Sequence, residues 1–149
     1  MSGMRLKVQS ELNLPVGKAW ERLLDPNHLV AISAPLVRFE GLLPDHWEVG
    51  VAYEYHLRIL GRRFKEPHRI EFREVSKAHH RIQTEESGGL IRSWLHCFTL
   101  ESIGESRCLY TDSLNIDAGP FTLGVWTFAQ ALYRHRHRRW KRLIRVAAS

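Results

Sequence analysis

The segment 122–149, TLGVWTFAQALYRHRHRRWKRLIRVAAS, is the strongest indication of the fold because it combines helical periodicity with unusual length. Apolar side chains recur in it every three or four residues, which predicts an amphipathic helix with one face against a core. The predicted core stripe consists of Val125, Ala129, Leu132, Arg136, Trp140, Leu143 and Ala147, with Trp126, Tyr133 and Ile144 beside it. A helix of this length can cover a whole sheet, so the preceding residues are expected to form one.

Most of the chain before this helix alternates between apolar and polar residues, the period of a β-strand. Two short helices are predicted after the first strand, one entered at Pro15 and one that runs from Asp25-Pro26-Asn27 to Ala34. A run of strands followed by a helix indicates an α+β fold with an antiparallel sheet. Strands are predicted over 4–12, 37–41, 51–59, 63–75, 80–86, 90–101 and 107–117, with Pro67 marking an edge or a bulge.

Length and composition limit the class of protein. The 149 residues fit a single domain, 1–149. No apolar run reaches the roughly 18 residues of a membrane span, and residues 1–8 lack the apolar core of a signal peptide. Two cysteines, Cys97 and Cys108, make no disulfide framework, so a cytoplasmic location is expected. The spacing of His and Cys predicts no metal site, and no cofactor motif is present.

The formal net charge of +6 is concentrated near the C-terminus. Seven Lys and Arg residues lie in 134–145, and without them the chain would carry 15 basic against 16 acidic residues. Such a cluster can bind nucleic-acid phosphates. It is also typical of the solvated last turns of a helix, where cations interact favourably with the helix dipole. We favour the second interpretation, so nucleic acid is not the expected partner.

Three stretches resemble the START-related helix-grip superfamily, also called SRPBCC or polyketide cyclase/dehydrase-like, whose fold is that of the birch pollen allergen. The stretches are PVGKAWERLLDPNHL (15–29), GVAYEY (50–55), and WLHCFTLE (94–101) with Thr111-Asp112. With the element order, the resemblance covers nearly the whole chain. It implies a curved antiparallel sheet of about seven strands wrapped round the long C-terminal helix. It also implies a cavity between sheet and helix that holds a small hydrophobic molecule or a lipid.

The same strands suggest a polar site within the sheet. His96 shares a strand face with Trp94, Phe98 and Leu100, and Asp112 shares one with Tyr110. A hairpin that turns round Gly104 would place His96 opposite Asp112, where the carboxylate would fix the imidazole tautomer and favour its charged form. The pair is also explained as a satisfied polar spot that holds the hairpin in register, which is the interpretation we favour.

A ligand would contact the rings and polar groups of the concave face. Arg136 interrupts the apolar stripe, and it could meet Asp112, meet a ligand carboxylate, or extend its head to solvent at the cavity mouth. Aromatic residues at strand spacing are also ordinary core, so each assignment has that alternative. The predicted ligand-binding residues are Tyr53, Tyr55, Phe72, Trp94, His96, Phe98, Tyr110, Asp112, Trp126, Tyr133 and Arg136.

Three function classes fit these patterns. The favoured one is a carrier or sensor of a small hydrophobic molecule, and a void of several hundred Å³ between sheet and helix would support it. The second is a cyclase or dehydratase in which His96 is the general acid/base and Asp112 orients it. Phe98 replaces a histidine, and Leu100 a phenylalanine, of one branch of the superfamily, which makes the site less suited to catalysis. The third is binding of nucleic acid or an anionic surface through the basic helix.

Overall fold

A curved antiparallel sheet and a 27-residue C-terminal helix form the framework of the molecule. The computed structural model describes residues 3–148. Its strands are β1 (Met4–Leu12), β2 (Val37–Glu40), β3 (Ala52–Ile59), β4 (Arg62–Arg63), β5 (His68–Ser76), β6 (Arg81–Gly88), β7 (Ile91–Ser102) and β8 (Cys108–Asp117). Its helices are α1 (Val16–Leu24), α2 (Pro26–Ser33) and α3 (Thr122–Ala148). No helix within residues 3–148 is both long and apolar enough to cross a membrane.

The strands follow the order β1-β8-β7-β6-β5-β3-β2, and the two-residue strand β4 pairs with β3. The predicted α+β helix-grip architecture is therefore confirmed, with both short helices after the first strand. The single strand predicted over 63–75 is wrong, because β4 ends at Arg63 and β5 begins at His68. Pro67 lies in the gap between them, where a residue without an N–H interrupts no ladder hydrogen bond.

Alternating burial along the strands builds the concave face of the sheet. In β1, buried and exposed residues alternate from Leu6 to Leu12, as the sequence predicted. The core beneath this face divides into two clusters. One lies under α1 and α2 and includes Trp20, Phe72 and Trp140. The other lies under the first half of α3 and includes Leu132. The candidate site lies where the two clusters meet.

The register of β7 and β8 differs from the predicted one. His96 lies opposite Leu114, and Asp112 lies opposite Phe98, so the predicted direct pairing of His96 with Asp112 is wrong by two residues. The turn is centred on Glu105 and not on Gly104, since Ser102 lies opposite Cys108 and the Ile103 amide donates to the carbonyl of Arg107. A shift of two residues leaves every side chain on its predicted face, so His96 and Asp112 remain diagonal neighbours on the concave side.

The basic run of α3 is less solvated than the sequence suggested. Arg136 and His137 are buried. His135 Nε2 lies 2.7 Å from the Ala34 carbonyl, and Arg139 donates to the carbonyl of Ala31. These contacts satisfy carbonyls at the C-terminal end of α2, which the helix itself cannot pair. The exposed cations of the run are Arg134, Arg138, Arg142 and Arg145.

Candidate functional site

Asp112 is the centre of a buried polar network. Its side chain is 0% exposed, and both carboxylate oxygens accept hydrogen bonds. His96 Nε2 lies 2.6 Å from Oδ1, and His137 Nε2 lies 2.7 Å from Oδ2. The Tyr110 hydroxyl donates to Oδ1 at 3.0 Å. Burial alone would raise the pKa of Asp112, but the hydrogen bonds from His137 and His96 outweigh it and hold this pKa well below its usual range.

Glu86 is the second buried carboxylate of the site. Its Oε1 lies 2.8 Å from His68 Nε2, and its Oε2 accepts from the Thr84 hydroxyl at 2.8 Å. Burial opposes the charged form, yet the hydrogen bonds from His68 and His96 hold the pKa of Glu86 well below its usual range. Both carboxylates are therefore ionised and have their own donors.

His96 links the two carboxylates. Its Nε2 faces Asp112, while its Nδ1 lies 3.8 Å from Glu86 Oε2 and 3.4 Å from the Tyr133 hydroxyl. Burial lowers the pKa of His96, but Asp112 and Glu86 together outweigh burial and raise it. The two carboxylates thus favour the charged form of the imidazole that lies between them. We call His68, Glu86, His96, Asp112 and His137 the carboxylate–histidine network.

The network connects the helix to the sheet. Its members come from β5, β6, β7, β8 and α3, and His137 Nδ1 also lies 2.8 Å from Ser10 Oγ of β1. Sequence reasoning found His96 and Asp112 but missed Glu86 and His137. A signal for each was present. Glu86 continues the inward alternation of Ile82 and Thr84 in β6, and His137 lies four residues after Tyr133 on one helical face.

A small cavity lies beside the network, bounded by the sheet, α3, α1 and α2. We call it the sheet–helix cavity. Its volume is about 40 Å³, far below the several hundred expected for a ready-made ligand site. A water needs about 10–15 Å³, so the space holds about three waters. Five of the eleven predicted ligand-binding residues line it, namely Phe72, His96, Phe98, Tyr110 and Arg136.

The other six predicted ligand-binding residues do not line this cavity. Trp94 and Trp126 pack in the cluster under the first half of α3, where the Trp126 indole donates to the Arg5 carbonyl. The phenol rings of the two predicted tyrosines of β3 pack edge-on against Trp47 and Phe39. Asp112 is covered by its three partners, and Tyr133 lies beneath His96. The non-lining residues are Tyr53, Tyr55, Trp94, Asp112, Trp126 and Tyr133.

Arg136 is buried in the wall of the cavity without an ionic partner. The residue is 7% exposed, and its Nε has no hydrogen-bond partner among residues 3–148. Its guanidinium carbon lies 4.7 Å from the centroid of the Tyr133 ring, a cation–π contact. The sequence analysis left three roles open for Arg136. The first, contact with Asp112, is wrong because His96, Tyr110 and His137 occupy that carboxylate. Extension of the head to solvent at the cavity mouth stays a prediction, because the residue as a whole is 7% exposed while Nε alone of the guanidinium nitrogens is fully buried without a partner among the described residues.

His28, on α2, also faces the cavity and was not among the predicted residues. It is 8% exposed, and its Nε2 has no hydrogen-bond partner within the described part of the chain. Its ring packs edge-on against Trp140, with centroids 4.4 Å apart. Burial, reinforced by the positive charge of Arg22, lowers the pKa of His28 to about 4. A neutral imidazole and a guanidinium thus face the same small space.

A larger depression, about 560 Å³, lies on the outer face of the sheet. Side chains of Gln83, Glu85, Cys97 and Asn115 are among its lining residues. We give it less weight, because a broad and open surface excludes little water from a bound molecule. The sheet–helix cavity is the better candidate, since it is enclosed and combines apolar walls with polar groups that lack partners.

The architecture is shared by many solved structures. A START superfamily protein from Mycobacterium smegmatis superposes with a TM-score of 0.71 at 11% identity, over 97% of this chain and 99% of that one. The fold is the START-like helix-grip fold. A protein from Chromobacterium violaceum gives a TM-score of 0.72 at 13% identity, over 94% of this chain and 96% of the other.

Norcoclaurine synthase from Thalictrum flavum has the same helix-grip fold. Its complex with dopamine and hydroxybenzaldehyde gives a TM-score of 0.68 at 13% identity, over 95% of this chain and 86% of that one. Identities this low show a common fold and not a common activity. No family model matches the chain, and no curated protein matches its sequence.

Proposed function

We propose that the protein binds a small, mostly apolar molecule in the sheet–helix cavity, as a carrier or sensor rather than as an enzyme. The observation that carries this proposal is an enclosed cavity with apolar walls and two buried polar groups that lack partners. That combination is typical of small-molecule sites. Norcoclaurine synthase, with the same fold, has been solved with two small aromatic molecules bound. One domain over 1–149 and a cytoplasmic location remain predictions.

Binding requires the cavity to widen. A space for about three waters cannot enclose an apolar molecule of ten or more heavy atoms. One wall is formed by Leu29 and Ile32 of α2 and by Trp47 of the β2–β3 connection, none of which belongs to the sheet. Side-chain contacts from His135 and Arg139 join α2 to α3. Because α2 lies outside the hydrogen-bonded sheet, we assign it as the wall that moves, and the contacts from His135 and Arg139 have to shift with it.

The enzymatic alternative has less support from the site. A general base needs a free lone pair within reach of substrate. His96 directs Nε2 at Asp112 and Nδ1 toward Glu86 and Tyr133, so neither ring nitrogen is free for a substrate, and the raised pKa of His96 favours its charged form. The basic-surface alternative rests on the four exposed arginines of α3, while Arg136 and Arg139 of the same run face inward. The cavity therefore supports ligand binding best.

Thermal shift with neutral probes tests the proposed function. Benzamide and 1-naphthamide should raise the melting temperature of the wild type, because a ligand that binds only the native state stabilises it. Leu29→Trp fills the cavity and should abolish the shift. Leu42→Trp is the matched control, since Leu42 is 95% exposed, and it should retain the shift. The proposal fails if the wild type responds to no probe and native mass spectrometry finds no co-purifying molecule, or if Leu29→Trp responds like the wild type.

A further inference from the structure

Arg136 is a buried cation without an anion among the described residues. Its guanidinium makes no ion pair or hydrogen bond within residues 3–148, and its close neighbour is the face of the Tyr133 ring. Leaving a charge buried and unpaired is costly, and proteins usually supply a partner. The ring supplies a small part of what a carboxylate would. The structure therefore contains a binding group without its counterpart.

The two nearby carboxylates already have their own partners. Asp112 accepts from His96, His137 and Tyr110, which occupy both of its oxygens. Glu86 has a hydrogen-bond partner on each oxygen as well. Neither lies within ion-pair distance of Arg136. The missing anion must therefore come from outside the described chain.

A second polar group faces the same space. His28 Nε2 is buried and has no partner, and both His28 and Arg136 line the sheet–helix cavity. The remaining walls are mostly apolar, with Leu29, Ile32 and Phe98 among them. Thr84, Glu86 and His96 of the network also line the cavity, but their polar groups already have partners, so His28 and Arg136 are the lining residues with a buried polar atom left unpaired within residues 3–148.

We infer that the ligand is a small monocarboxylate with an apolar or aromatic body, whose carboxylate binds Arg136 and accepts a further hydrogen bond from His28. This inference rests on the proposed function. A guanidinium offers paired N–H groups that match the two oxygens of a carboxylate. A carboxylate has three heavy atoms, about the number of waters for which the cavity has room. The head group therefore fits the existing space, and the body occupies the space opened by movement of α2.

Matched acids and amides test this inference. Isothermal titration calorimetry would compare benzoate with benzamide and 1-naphthoate with 1-naphthamide, pairs that differ mainly in the charge of the head group. We expect the wild type to bind each acid at least tenfold more tightly than its amide. Arg136→Met removes the charge and should abolish this preference. Arg134→Met is the matched control on the exposed side of α3 and should keep the wild-type preference.

The outcomes separate this inference from the proposed function. Equal affinity for acid and amide, with Leu29→Trp blocking both, would overturn the carboxylate assignment and leave cavity binding intact. If neither acid nor amide binds, this inference fails, and the proposed function fails with it when native mass spectrometry also finds no co-purifying molecule. An undiminished acid preference in Arg136→Met would overturn the role of Arg136.

An NMR measurement on the wild type covers the case in which Arg136→Met does not fold. Benzoate should shift the resonance of the Arg136 Nε–H group, which is assigned with the variant Arg136→Lys. An unchanged resonance at saturating benzoate would contradict the contact.

Discussion

Two groups of buried polar side chains lie side by side in this core, and they differ in how completely they are satisfied. In the carboxylate–histidine network, Asp112 alone has three hydrogen-bond partners and no exposed surface. In the sheet–helix cavity, Arg136 and His28 are almost as deeply buried, yet Arg136 Nε and His28 Nε2 have no partner within residues 3–148. Helix α3 contributes to both groups, since His137 belongs to the network and Arg136 to the cavity.

This difference indicates a structural role for the network and a binding role for the cavity groups. A buried polar group with all its partners holds elements together, and breaking one contact exposes an uncompensated charge. A buried polar group without a partner destabilises the empty protein and becomes useful when a ligand supplies the partner. The network therefore explains how α3 is fixed on the sheet, and the cavity groups indicate what the fixed framework binds.

The largest expected effect comes from breaking the network at its centre. Asp112→Asn leaves His96 and His137 without their buried counterion and should lower the free energy of unfolding by about 3–5 kcal/mol. Urea denaturation measures this loss. The control Asp45→Asn changes an exposed carboxylate and should stay within about 0.5 kcal/mol of the wild type. A loss below about 1 kcal/mol in Asp112→Asn would show that the network does not stabilise the fold.

The second prediction uses pH to compare His28 in the cavity with His96 in the network. The folded pKa of His28 is lowered to about 4, so the unfolded chain takes up a proton at higher pH than the folded one. Stability linked to His28 therefore falls by up to about 3 kcal/mol as pH drops from about 6.5 to 4. The pKa of His96 is raised instead. Its contribution is complete below about pH 6.5 and is lost as pH rises through the folded value.

Urea midpoints measured across pH separate the two contributions. His28→Gln should flatten the acid limb of the stability curve, and His96→Gln should flatten the limb above pH 6.5. His46→Gln is a control for both, because its imidazole is largely exposed. If His28→Gln leaves the acid limb unchanged, the buried neutral state assigned to His28 is wrong.

The fold could be predicted because its determinants are local. The alternation of apolar and polar residues in the strands and the apolar stripe of α3 predicted the order of the elements. The two-residue period of the strands placed His96 and Asp112 on the same face of the sheet. The register could not be obtained this way, since it depends on the conformation of the turn before Cys108. The sequence analysis missed His137 because a residue within a run of Arg and Lys is expected to face solvent. Its side chain is buried instead, because it contacts the carboxylate of Asp112 on β8, a strand that is distant in sequence.

The site was less predictable than the fold. The two-residue period of a strand shows which face of the sheet an aromatic ring lies on, but not whether the ring borders a cavity. The sequence analysis therefore predicted Trp94 and Tyr55 as cavity residues, although they do not line the cavity. The volume of that cavity depends on how α2 packs over the sheet. The absence of a partner for Arg136 depends on which carboxylates have already found donors, and that requires every side chain to be placed.

The most direct test of the central claim is the free energy of unfolding of ligand-free Arg136→Met, measured by urea denaturation beside Asp112→Asn. Methionine keeps most of the apolar stem and removes a buried charge that has no partner, so stability should equal or exceed that of the wild type. A loss of about 3 kcal/mol or more, comparable to that of Asp112→Asn, would show that Arg136 is already satisfied in the native state. That result would contradict the distinction between a saturated network and an unsaturated binding cavity.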